Sequence, residues 1–75
     1  MAESERIDEL KKLANIAADM TLSRDLRTKA IESLKNIGTH EALLVLLNLA
    51  ANENLNVAER DLALKKAREI VKSSR

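Results

Sequence analysis

An all-α fold is predicted by two features of composition and one of pattern. The 75 residues contain no proline, no aromatic residue and a single glycine, while Ala, Leu, Glu, Lys and Arg dominate. Strand formers of the aromatic class are thus missing and good helix formers are abundant. The chain also resembles itself at an offset of 33 residues: Leu10–Gly38 aligns without a gap on Leu43–Val71, with nine of 29 positions identical. A period of this length marks a supersecondary unit repeated in tandem.

Four helices follow in order. Ser4 is placed to cap the first, over 5–19, where Ile7, Leu10, Leu13, Ala14, Ala17 and Met20 recur at helical spacing and define one buried face. Thr21 and Ser23 offer capping hydroxyls for the second, over 23–37, with Leu26, Ala30, Ile31, Leu34 and Ile37 on its inner face. Gly38 stands where a left-handed residue ends that helix, and Thr39 caps the third, over 40–51. The third is apolar nearly all round, broken only by Glu41 and Asn48, and is therefore expected to be enclosed by neighbours. Asn56 followed by Glu59 approximates a capping box and opens the fourth, over 57–72, with Leu62, Ala63, Ala67, Ile70 and Val71 inward. Acid-to-base pairs at i,i+4 (Asp8/Lys12, Asp25/Lys29, Asp61/Lys65) are expected on solvent-facing sides.

The string from Leu26 to Leu49, L-R-x-x-A-I-x-x-L-x-x-I-G-x-x-E-A-L-x-x-L-L-x-L, resembles the HEAT-like repeat, in particular the short type of phycobilisome-lyase-like chains. It joins the second helix of one unit to the first helix of the next. The resemblance implies two α/α hairpins in one domain over 1–75, with repeat 1 over about 5–38 and repeat 2 over about 39–72, arranged as a compact superhelix or four-helix bundle. It also implies a habit of binding other proteins rather than a reaction. Val71 stands where a second terminal glycine would be. Arg27 and Arg60, identical across the two units, are assigned structural roles near the starts of the second helices, reaching acids or carbonyls of a neighbouring turn; Gly38 is likewise structural.

Catalysis is not expected. Cysteine is absent, and His40, the sole histidine, has no accompanying nucleophile. Asn52, Asn54 and Asn56 imitate the opening of a calcium loop, but Val57 and Ala63 occupy the positions that need glycine and a bidentate acid. One glycine forms no phosphate-cradling loop, and no cofactor or metal is implied. The longest apolar run, Ala42–Leu47, falls well below the roughly 18 residues of a membrane span, and the charged start lacks a signal segment, so a cytoplasmic protein is expected.

Two partner classes remain. Two repeats are fewer than the three that solenoid stability generally needs, which predicts a protein partner, most simply a C2 homodimer covering Leu44, Val45 and Leu49. The alternative is nucleic acid. Residues 60–75 carry six basic and two acidic side chains within a chain of net charge +1. Lys65, Arg68 and Lys72, extended by Arg24, are its candidate phosphate contacts.

Overall fold

A computed structural model describes the backbone of residues 2–73 and the side chains of residues 8–73. Four helices are present, α1 (Ala2–Ala18), α2 (Arg24–Ile37), α3 (His40–Ala50) and α4 (Val57–Ser73). The all-α architecture is as expected, and the three later helices match their predicted spans to within a residue. α1 begins before Ser4, so that residue lies in the first turn rather than at the cap; its side chain and that of Ile7 lie outside the described ones.

Each connection is closed by local hydrogen bonds. After α1, the Asp19 carboxylate accepts from the Thr21 amide at 2.9 Å and hydroxyl at 2.6 Å. The hydroxyl and then the amide hold the Asp19 carboxyl below its ordinary pKa. Thr21 therefore serves the turn, and Ser23 alone caps α2, accepting from the Leu26 amide at 3.3 Å. Gly38 ends α2 at φ 66°, ψ 13°, its N–H donating to the Leu34 carbonyl. A side chain there would strain the left-handed backbone. Gly38→Ala is accordingly expected to cost about 1 kcal/mol, measurable as a lower urea midpoint with an unchanged denaturant slope. Thr39 then caps α3 through the Ala42 amide at 3.1 Å. Before α4 the asparagines act as turn formers. Asn52 accepts from the Asn54 amide and Asn56 from the Glu59 amide, both at 2.9 Å.

α1 packs along α2 and α3 along α4, forming two hairpins. α2 touches both α3 and α4, and α1 touches α3, whereas α1 and α4 make no contact among the described residues. In a closed four-helix bundle the first and last helices would meet. Here the hairpins are stacked side by side, α1 and α3 in one layer and α2 and α4 in the other. The shortest dimension, 18 Å, is what two helix layers spaced at about 9 Å require. α2 and α4 run parallel, because Arg27 meets Glu59 at one end and Lys35 approaches Glu69 at the other.

The core lies between the layers. Leu10 and Ala17 come from α1, Ala30, Ile31 and Leu34 from α2, Ala42, Leu46 and Leu49 from α3, and Ala63, Ala67 and Ile70 from α4, closed by Leu55. Several expected core positions lie elsewhere. Met20, Leu26 and Val71 are nearly half exposed. On α2 the buried stripe is Arg27, Ile31 and Leu34, spaced 4 and 3, whereas Leu26 lies on the adjacent stripe with Ser33 and Ile37. None of the three expected i,i+4 pairs forms among the described residues; the ion pairs present are Arg27–Glu59, Lys35–Glu69 and Lys66–Glu69.

One polar cluster is buried where the hairpins meet. Glu59 Oε1 accepts from Arg27 Nε at 2.9 Å and from Asn56 Nδ2 at 3.0 Å, and Arg27 Nη2 stands 2.7 Å from it as an ion pair. Arg27 also donates through Nη1 to the Leu22 carbonyl at 2.5 Å. Glu59 is 2% exposed, and its Oε2 has no hydrogen-bond partner. A single arginine thus ties its own turn to the neighbouring hairpin. Arg60 performs only the first of these tasks, donating from Nε to the Ala50 carbonyl at the end of α3 at 3.0 Å. Both arginines lie near the starts of the second helices and reach a carbonyl of the preceding turn.

Candidate functional site

Among the described residues, no other element covers the outer face of the second hairpin. On α3, Ala42, Leu46 and Leu49 form the buried stripe, and the opposite flank presents Leu43, Leu47 and Leu44. Leu44 is 48% exposed and Leu47 41%. α4 supplies Leu64, Ala67 and Val71 to the same side, and the two helices enclose a shallow apolar groove lined by Leu43, Leu47, Leu64 and Ala67. Arg68 and Lys72 stand at its α4 edge. A second cleft on this face, nearer the start of α4, is lined by Ala50, Val57, Arg60, Asp61 and Leu64.

The expected interface residues do not share this surface. Leu49 is only 4% exposed and belongs to the core, since it falls three residues after Leu46 and seven after Ala42 on the inward stripe. Val45 is half-buried and packs against the core, about 160° from Leu47 around the helix axis. Leu44 alone of the three is exposed, and it lines neither cleft. An all-apolar helix gives no sign of which of its leucines is inward. The stripes Ala42, Leu46, Leu49 and Leu43, Leu47, Ala50 share the same 4,3 spacing, so spacing alone does not separate them.

The basic residues are likewise divided. Lys65, Arg68 and Lys72 are exposed on α4, and none has an ion-pair partner among the described residues. Arg24 is exposed at the start of α2. Because α2 and α4 are parallel, that start is level with Val57, about 22 Å along the axis from Lys72 at 1.5 Å per residue. Arg24 therefore does not continue the stripe. Lys66 approaches Glu69 at 3.6 Å. His40 is exposed at the first position of α3.

What this face offers chemically is apolar surface bordered by positive charge. The described residues contain no group of three or more His, Cys, Asp or Glu side chains placed to hold a metal ion. No helix among them is long and apolar enough to cross a membrane. Compared with known proteins, the chain matches no family model, no curated protein and no solved structure.

Proposed function

We propose that this chain is a small HEAT-like protein-interaction module, without catalysis of its own, whose working surface is the outer face of the α3–α4 hairpin. The observation that carries this reading is the groove between Leu47 and Leu64, apolar on its floor and edged by Arg68 and Lys72. Exposed leucines scattered singly need no explanation, but a contiguous apolar groove with a polar rim is the anatomy of a contact surface. Nucleic acid is the weaker reading. The charges at the groove border a hydrocarbon floor with no aromatic platform for bases, and Arg24 lies at the far end of the molecule.

The test is affinity capture from the native cell extract with the natural chain, with Leu47→Glu and with Lys11→Glu. Both substituted positions are exposed, so both variants are expected to keep the natural helical circular dichroism. A bound protein is expected with the natural chain and with Lys11→Glu, and at least tenfold less with Leu47→Glu, since the carboxylate would be buried unpaired in an apolar contact. Equal retention by all three places the contact elsewhere and refutes the reading.

A further inference from the structure

The open face repeats, position for position, a face that the molecule has already filled. At the 33-residue offset Leu43 corresponds to Leu10, Ala50 to Ala17, Arg60 to Arg27, Leu64 to Ile31 and Ala67 to Leu34. In the first hairpin all five are buried beneath the second. In the second, Ala67 is buried, but Leu43, Ala50, Arg60 and Leu64 remain partly exposed and line the two clefts. The polar contacts divide in the same way. Arg27 is answered by Glu59, and Lys35 lies 3.9 Å from Glu69. Their counterparts, Arg60 and Arg68, meet no carboxylate among the described residues.

We infer that the occupant of this face is a helical hairpin bearing two carboxylates on its contact surface, stacked on α3 and α4 as these stack on α1 and α2, with one carboxylate on Arg60 and a second on Arg68. The inference rests on the interaction reading above and names the partner's chemistry. The two arginines are eight residues apart on α4, about 12 Å along its axis. The partner's carboxylates must lie at a similar spacing on one helix, as Glu59 and Glu69 do. A second copy of this chain stacked end to end does not meet the requirement, because its first hairpin carries Leu26 and Asn36 at the positions of Glu59 and Glu69. Two copies set face to face would oppose Arg60, Arg68 and Lys72 to themselves, with Asp61 as the one acid in the two clefts.

The probe is a hairpin known to cover such a face, the chain's own residues 40–73. Val71→Gly and Lys72→Thr reproduce the Gly38–Thr39 connection, and a second copy of residues 40–73 follows directly. The control carries the same two substitutions and no added hairpin. The extended chain is expected to unfold in one transition at a higher urea midpoint than the control. Arg60→Ala should lower its folding constant by about a hundredfold or more, the loss expected when one member of a buried ion pair is left alone. In the natural chain Arg60 makes one hydrogen bond to a carbonyl, and the same substitution should cost less than about tenfold. A separate transition for the added hairpin, an unchanged midpoint, or equal Arg60→Ala losses in both chains overturns the inference. Should Leu47→Glu still abolish partner capture in that case, the interaction reading stands and only the partner's chemistry falls. A natural chain that sediments at twice 8.3 kDa, and returns to monomer with Leu47→Glu, assigns the face to a second copy and likewise overturns the two-carboxylate hairpin assignment.

Discussion

Glu59→Ala is expected to remove about 3–5 kcal/mol of stability, the loss typical when one partner of a buried ion pair is deleted. The substitution strips Arg27 of its hydrogen bond at 2.9 Å and its ion-pair contact at 2.7 Å, and leaves its guanidinium buried with only the Leu22 carbonyl as acceptor. It also takes from Asn56 the carboxylate that orients its amide. A 75-residue domain has roughly 4–11 kcal/mol in total, so most of the folded population at moderate urea should disappear. The pair itself contributes little net stability, because both charges must be desolvated. The double variant Arg27→Met/Glu59→Leu is therefore expected to fold about as well as the natural chain. Urea denaturation followed by far-ultraviolet circular dichroism distinguishes the outcomes. A single variant within 1 kcal/mol of the natural chain, taking about 1 kcal/mol as the worth of one ordinary hydrogen bond, would mean that the cluster is solvated in solution and not buried.

The second large effect belongs to Leu46. Its side chain is fully enclosed at the middle of α3, which, like α2, touches all three other helices. Leu46→Ala leaves a cavity that the surrounding helices fill only partly, and costs about 2–5 kcal/mol. Leu44→Ala deletes the same atoms two residues earlier, where the side chain is 48% exposed, and should cost about 0.5 kcal/mol. Equal midpoints for the two variants would contradict the inward stripe Ala42, Leu46 and Leu49.

These contrasts show where the sequence is legible. Helix ends are written in local chemistry. Gly38, Thr39 and Asn56 act within four residues of themselves, and each performs the capping or stopping role its type and position imply. Facing is harder, because it depends on which neighbour an apolar side chain meets. Leu26 and Arg27 are adjacent, and hydrophobicity alone assigns Leu26 to the core. The stack reverses them, because Arg27 shares its stripe with Ile31 and Leu34 and finds Glu59 across the hairpin boundary. Glu59 itself reads as half of a capping box, a surface device. Its burial follows from a contact 32 residues away in the chain, which no local window contains.

The exposed apolar face is partly legible in the sequence. A surplus of apolar positions on α3 is plain in the residues, but the choice among Leu44, Val45, Leu47 and Leu49 required the packing of α4 against one side only. The repeat offset already held the missing signal. Leu43 and Leu64 correspond to Leu10 and Ile31, so whatever buries the first pair leaves the second pair open unless a further unit follows.

The most direct measurement is therefore the urea midpoint of the extended chain, in which residues 40–73 are repeated after the substituted Gly-Thr junction. If the outer face of α3 and α4 is a socket for a helical hairpin that places two carboxylates on it, the transition stays single and moves to higher urea than in the control. A midpoint that does not move, or a second transition for the added hairpin, would contradict it.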